Sequence, residues 1–320
     1  MSSTIFTHCD FDGAASAAIV SYCLKTDQFH FATPNNIYKQ AVSVHDIICD
    51  LPYISGCHLW FDHHATNIQE LKDRGLNPEN IEGANRIAPS AAQVAFEYFS
   101  PTHELPDYFK DLVKAANIVD TMDYDSIESW LAATPMNILN DTININSESY
   151  PAMSHHLAWL TRQLRDEPLE AVAGSDKIQS RWAQKLVTRE KDIEFIEKLH
   201  SFIPEDEDRQ IVVIDCSNLS FAPKFNKTLG LVIQPTAQYI LLIANEVSYG
   251  RKTNNLKISV AKNFLTPSDK QLGVFMEELK LGGGHDNAAG GVISAGSKNE
   301  RLRKLKDFQL DLLDYINSSV

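Results

Sequence analysis

The sequence predicts an α/β protein in which an N-terminal doubly wound, mainly parallel sheet is joined by a helical linker to a smaller α/β C-terminal domain. Short apolar runs alternate with helical patterns from residue 5 to residue 120, and such alternation builds βαβ units around a parallel sheet. A charged helical stretch then runs from Glu170 to His200 and stops at the acidic break Pro204-Glu205-Asp206-Glu207-Asp208. Strong apolar runs resume beyond that break, as a second core requires. A length of 320 residues matches about two domains of ordinary size. The expected divisions are 1–170, a linker over 171–208, and 209–320.

Ile5-Phe6-Thr7 is a short strand, and Gly13-Ala14-Ala15-Ser16-Ala17-Ala18-Ile19-Val20 follows as a small-residue helix to Leu24, with Asp12 placed to cap it. A second strand, His45 to Cys49, ends at Asp50, and a third, Cys57 to Phe61, ends at Asp62. Helices are expected from Ser90 to Phe99 and from Tyr108 to Val119, the second delivering Asp120. In the C-terminal half, Gln210 to Asp215, Gln238 to Ala244 and Leu256 to Ala261 read as strands, and Gln271 to Leu279 as a helix. Gly282-Gly283-Gly284 then opens a helix near Asp286, and Asn299 to Ile316 forms a last amphipathic one. Ligands of a doubly wound sheet gather beyond the carboxyl ends of its strands, so the residues that end each strand carry the chemistry.

The formal charge of −13, from 42 acidic and 29 basic residues, argues against long DNA or RNA as a partner, because polyelectrolyte binding needs a basic face that releases counterions. A small phosphorylated substrate needs only a local basic pocket. No apolar run reaches membrane-span length, and the N-terminal residues lack the basic and long apolar segments of a signal peptide. Five scattered cysteines without a Cys-x-x-Cys pair suit a reducing compartment. The expectation is a cytoplasmic protein with no membrane partner, and a homodimer is compatible with the sequence. His155-His156 reads as surface or packing, and Arg301, Arg303, Lys304 and Lys306 as the solvated face of the last helix.

Strand ends carry His8-Cys9-Asp10-Phe11-Asp12-Gly13, Asp50, Asp62-His63-His64 and, after a helix, Asp120. Carboxylates and imidazoles that converge on one crevice are ligands for hard or borderline divalent cations. Alternation along an extended segment sends His8, Asp10 and Asp12 to one side, and Cys9 and Phe11 to the other. An isolated Asp-x-Asp-Gly is more often a turn with a helix cap, and an isolated Asp-His-His more often faces solvent, so the weight rests on their placement at successive strand ends. Asp50 is placed to bridge two ions, which two-metal catalysis holds ~3.5–4 Å apart. Adjacent histidines project differently: one binds metal, its neighbour faces substrate, and a preceding carboxylate fixes an imidazole tautomer. Gly282 to Gly284 permit close approach to a phosphate and His285 adds a donor, with a plain glycine turn as the alternative.

Taken in order, His8-x-Asp10-x-Asp12-Gly13, Asp50, Asp62-His63-His64 and Asp120 resemble the four successive motifs of the DHH phosphoesterase superfamily. Gly282-Gly283-Gly284-His285-Asp286-Asn287-Ala288-Ala289-Gly290 resembles the GGGHxxAAG signature of the DHH-associated C-terminal domain. The resemblance spans almost the whole chain and points to the nanoRNase- or oligoribonuclease-like, RecJ-related members. It implies that Asp10, Asp12, Asp50, His63 and Asp120 hold two divalent ions, typically Mn2+ with Mg2+ as an alternative, and that Asp50 bridges them. His8 matches a position that is a metal ligand in some relatives. Asp123 and Asp125 follow Asp120 closely, and its place at a helix end favours Asp120. Asp62 would orient the histidines and His64 would lie against the scissile phosphate. Gly283, Gly284 and His285 would grip substrate phosphate. Relatives acting on nucleotides often carry an arginine on the strand before this loop. Here Ile258-Ser259-Val260-Ala261-Lys262 offers only Lys262, with Lys257 or Arg251 as further substitutes.

The implied activity is hydrolysis of a phosphodiester or phosphomonoester by water that two ions activate. Two-domain layout and net acidity favour short oligonucleotides, linear or cyclic dinucleotides, or nucleoside bisphosphates. An exopolyphosphatase or pyrophosphatase is one alternative, and it needs more basic residues around the glycine run. A RecJ-like exonuclease would need a long basic channel. A non-catalytic nucleotide sensor is the alternative from another class, and it would have lost metal ligands.

Overall fold

A computed structural model of the chain describes residues 3–143, 145, 148–221, 224–248, 251–284 and 286–318. The chain divides into two compact units, one of residues 1–124 and 128–186, the other of 125–127 and 187–320. The first carries β1 (Thr4–His8), α1 (Phe11–Leu24), β2 (Gln28–Ala32), α2 (Pro34–Ile37), β3 (Ile47–Cys49), β4 (Leu59–Asp62), α3 (Ala65–Asp73) and β5 (Gly83–Asn85). It continues with α4 (Ala91–Phe99), α5 (Tyr108–Thr121), α6 (Ile127–Leu131), α7 (Pro135–Asp141), α8 (Tyr150–Asp166) and α9 (Leu169–Ala173). The expected linker is mostly α10 (Asp176–Leu199), and the division falls inside this helix, between Leu186 and Val187. The second unit holds β6 (His200–Phe202), β7 (Ile211–Asp215), α11 (Gly230–Ile233), β8 (Tyr239–Ser248), β9 (Arg251–Lys262), α12 (Leu272–Glu278), β10 (Gly282–Gly284), β11 (Ala288–Ile293) and α13 (Lys298–Asn317).

All pairs in the first sheet are parallel, in the order β2-β1-β3-β4-β5. Its direction of winding reverses between β1 and β3, and that switch opens a crevice beyond the carboxyl ends of the two strands. Both sheet faces are covered, as parallel strands require. Ile5, Ile47 and Phe61 face α1, α4 and α5, while Phe6, Ile48 and Trp60 face Ile37 of α2 and Leu71 of α3. Trp60 is fully buried and its Nε1–H donates to Leu51 O at 2.8 Å. The small-residue composition of α1 has a direct consequence. A Cβ on Gly13 would lie 2.4 Å from His8 O, so only glycine lets the helix start this close to β1.

The second sheet is mixed, in the order β10-β11-β9-β8-β7-β6, with only β7 and β8 parallel. One face packs Val213, Leu241, Ile258 and Val260 on Phe275 and Met276 of α12 and Phe308 and Leu312 of α13. The glycine run does not open a helix. It forms β10, antiparallel to β11. Glycine is a poor helix former, and here it answers a demand for close packing: a Cβ on Gly282 would overlap Gly290 O, and one on its strand partner Gly291 would overlap Leu281 O and lie 2.8 Å from Met276 Cε.

Arg301 also departs from expectation, being buried and donating to Asn245 Oδ1 at 3.3 Å, whereas Arg303 and Lys306 are exposed. His156 is buried, stacks on Trp159 and lies 3.3 Å from Thr142 Oγ1. Among the described residues no helix is long and apolar enough to cross a membrane.

Candidate metal centre

Three strands and two helices bring the acidic and imidazole groups together at the switch point of the first sheet. His8 ends β1. Asp10, in extended conformation with φ −138°, caps α1 by accepting from Gly13 N–H at 2.8 Å. The cap is therefore Asp10 and not Asp12. Asp12 lies in the first turn, so helical geometry rather than strand alternation aims it inward. Its oxygens accept from the N–H groups of Ala91, at 2.6 Å, and Ala92, at 2.9 Å, at the start of α4. An anion is well placed at that positive helix end.

Asp50 follows β3 with φ +55° and donates its N–H to Phe61 O at 2.9 Å. His63 follows β4, and its Nδ1 lies 3.0 Å from Ala88 O. That carbonyl can only accept, so Nδ1 carries a proton and Nε2 faces the crevice. His64 precedes α3, with Nδ1 3.0 Å from Asp62 Oδ1. Asp62 is fully buried, and Asn67 Nδ2 donates to its other oxygen at 3.0 Å. Asp62 thus orients His64, while the Ala88 carbonyl orients His63. Asp120 comes from the last turn of α5.

These side chains form three overlapping groups whose ligand atoms lie within 4.8 Å of one another: His8, Asp10 and Asp50; Asp50, His63 and His64; Asp12, His63 and Asp120. Asp50 and His63 each belong to two groups. His63 Nε2 is 3.3 Å from Asp50 Oδ1, 3.6 Å from Asp120 Oδ2 and 3.7 Å from Asp12 Oδ2. His8 Nδ1 is 2.5 Å from Asp10 Oδ2 and 3.5 Å from Asp50 Oδ2. Asp123 and Asp125 belong to none of the groups.

The electrostatics call for cations. Burial pulls the His8 imidazole down, but Asp10 and Asp50 outweigh it and push its pKa up to about 11. His63 goes to about 10, with burial again opposed by Asp50, Asp12 and Asp120. Burial and then Asp50 raise Asp120 to about 7, and burial with Asp50 and Asp120 raises Asp12 well above the carboxylate range. Asp50 moves the other way: burial opposes its charge, yet the imidazoles of His63 and His8 hold it ionised.

Both oxygens of Asp50 and Nε2 of His63 are buried with no hydrogen-bond partner among the described residues. Unpaired buried acceptors are costly. Once His63 Nε2 gives up its proton, its lone pair faces carboxylate oxygens at 3.3–3.7 Å and is repelled by them unless a cation takes the proton's place. The mixed oxygen and nitrogen donors fit divalent cations such as Mn2+, Zn2+ or Mg2+.

In the second unit Gly283 and Gly284 lie in β10, and His285 lies outside the described residues. Lys262 ends β9, and its Nζ donates to Ser268 O at 3.0 Å. Cys9 turns away from the centre and donates to Ala32 O, and Cys49 is fully buried. Sequence reasoning did not foresee Asn67, the Ala88 carbonyl or the Ala91 and Ala92 amides. The helix start at Ser90 was visible, but not that a distant carboxylate would meet it.

No family model matches the chain, and no curated protein matches it. Solved structures share its fold. A pGpG-specific phosphodiesterase, PggH from Vibrio cholerae, has a TM-score of 0.70 at 19% identity, covering 97% of this chain and 99% of that one. A DHH domain from a protein described as a member of a ribosomal-protein family has a TM-score of 0.57 at 14% identity, covering 100% and 87%. RecJ from Thermus thermophilus, solved with Mn2+, has a TM-score of 0.50 at 13% identity, covering 96% of this chain but 52% of that longer one. The chain has the fold of the DHH phosphoesterases, with a parallel five-stranded sheet followed by a second, mixed sheet.

Proposed function

We propose that this chain is a divalent-metal-dependent phosphoesterase that hydrolyses short phosphorylated substrates: short oligonucleotides, dinucleotides or nucleoside bisphosphates. The observation that carries the reading is Asp50, whose two buried oxygens lack hydrogen-bond partners among the described residues and lie among the imidazoles of His8, His63 and His64. Asp50 would bridge two ions, with His8, Asp10, Asp12, His63 and Asp120 completing their ligands. Bound there, the ions would supply an acidified water and positive charge for the phosphoryl oxygens.

The protein side of the chemistry falls to His64 and Asp62. Burial works against a charged His64, but Asp62 outweighs it and raises the imidazole pKa. A protonated His64 held at Nδ1 by Asp62 presents Nε2–H as a donor to a phosphoryl oxygen that gains charge. The Ala88 carbonyl holds His63 in the tautomer whose Nε2 is free for metal. In the second unit, Gly283, Gly284, His285 and Lys262 are the proposed contacts to substrate phosphate.

Two facts favour small substrates over long nucleic acid. The net charge is −13, which disfavours a polyelectrolyte partner. A structural neighbour aligned over nearly all of both chains is described as specific for pGpG.

Purified protein incubated with Mn2+ and 5′-labelled RNAs from two residues upward, beside cyclic dinucleotides and polyphosphate, tests the reading. Release of mononucleotides from the shortest RNAs, absent in Asp62→Ala, is the expected result. Cleavage of polyphosphate alone would overturn the substrate class, and no turnover would favour a nucleotide sensor.

A further inference from the structure

The second face of the mixed sheet bears small residues and a cation with no acidic partner among the described residues. Alternation sends Lys257, Ser259 and Ala261 of β9 to the face opposite the α12–α13 core. Register places Leu242 and Gly290 on either side of Ser259. A Cβ on Gly290 would lie 3.9 Å from Ser259 Oγ, so the absent side chain keeps the space beside that hydroxyl clear. Lys227 enters from the turn just before α11, and its Nζ donates to Ser259 Oγ at 2.6 Å.

This pair has donors to spare. Lys227 is half-buried, and burial lowers its pKa, with no acidic group among the described residues acting on it. Among the described residues only one of its three N–H bonds is engaged, and Ser259 Oγ, which accepts that bond, has no other hydrogen-bond partner. A desolvated ammonium without a counter-charge is unfavourable until an anion reaches it. Lys262, on the other face, is engaged with Ser268 O.

We propose that Lys227 and Ser259 form an oxyanion subsite beside Gly290 that takes a phosphoryl group of the substrate. Naming the anion a substrate phosphoryl group rests on the phosphoesterase reading; the subsite itself does not.

Calorimetric titration of the whole chain in EDTA with adenosine 5′-monophosphate, and separately with adenosine, isolates this subsite from the metal centre. Wild type is expected to bind the monophosphate more tightly than adenosine. Lys227→Met should weaken the monophosphate by about tenfold to a hundredfold, the worth of a charge-assisted hydrogen bond, and Lys227→Arg should retain it. Equal affinity in wild type and Lys227→Met, or no preference of wild type for the monophosphate, overturns the proposal.

Should Lys227→Met fail to fold, reductive methylation of wild type read by mass spectrometry replaces it. The monophosphate must slow modification of Lys227 relative to other lysines, and an unchanged rate overturns the subsite. Binding with this pattern in a protein that hydrolyses no short RNA, cyclic dinucleotide, nucleoside bisphosphate or polyphosphate would sink the phosphoesterase reading while supporting the subsite.

Discussion

Binding of divalent ions should expel about two protons from this protein near neutral pH. His8, at about 11, and His63, at about 10, both carry a proton at that pH because Asp10, Asp50, Asp12 and Asp120 surround them. An imidazole nitrogen that ligates a metal gives up its proton. Deprotonation at pH 7 costs about 4 kcal/mol for His63 and about 5 kcal/mol for His8, at about 1.4 kcal/mol per pH unit. The sign follows: protons compete with the ions, so affinity is weakest in acid and strengthens as pH rises towards the histidine pKa values. Two protons predict about a hundredfold gain per pH unit between pH 6 and 8. Asp120, at about 7, adds a further fraction of a proton. Titration calorimetry with Mn2+ in two buffers of different ionisation enthalpy counts the protons directly. His63→Gln should lower the count by about one. An enthalpy independent of buffer, or an affinity flat with pH, would refute the electrostatic account of the centre.

Asp50→Asn should abolish hydrolysis and remove the Mn2+-induced rise in thermal stability, which in wild type reaches about 2.7 kcal/mol at an ion concentration of about one hundred Kd. An undiminished rise in the variant would show that the ions bind elsewhere. Gly291→Ala should destabilise the second unit by about 1–3 kcal/mol in urea denaturation, because the new methyl meets Leu281 O and Met276 Cε; unchanged stability would deny that close packing. The pKa of His156 shifts in the opposite direction to those of His8 and His63. Burial, with Arg181 and Lys177, lowers its pKa from 6.5 to about 3, so above 6.5 it is neutral whether folded or not. As pH falls below 6.5 only the unfolded chain takes the proton, and up to about 5 kcal/mol of stability is lost by pH 3. His156→Phe should flatten the wild-type stability profile between pH 6 and 4, and parallel profiles would count against this role.

The strand-end placing of the clustered acidic and imidazole groups was legible because each strand is an apolar run strong enough to read alone, as Cys57 to Phe61 before Asp62 shows. β2 and β5 were not. Gln28-Phe29-His30-Phe31-Ala32 is a short edge strand, and Gly83-Ala84-Asn85 is strand only through its register with Trp60, Phe61 and Asp62. Asp10 and Asp12 both suit a helix cap by residue type, and the three-residue reach from Asp10 to Gly13 decided between them. The glycine run advertised close approach without naming the partner. Its strand pairing depends on Ala289, Gly290 and Gly291, which helix and strand patterns do not encode. Lys227 and Ser259 are 32 residues apart in the chain, so no local motif links them.

The left-handed backbone at Asp50 narrows what this protein can become. At φ +55° most side chains lose about 1–2 kcal/mol, and asparagine and aspartate lose least among those bearing a Cβ. Glutamate would keep the charge but neither the conformation nor the reach, so the middle of the centre has no acidic understudy. Asparagine retains both shape and backbone while discarding the charge. A lineage drifting at this one position would therefore pass from a charged centre to a silent one with its architecture intact, leaving a well-folded relative that binds no ions.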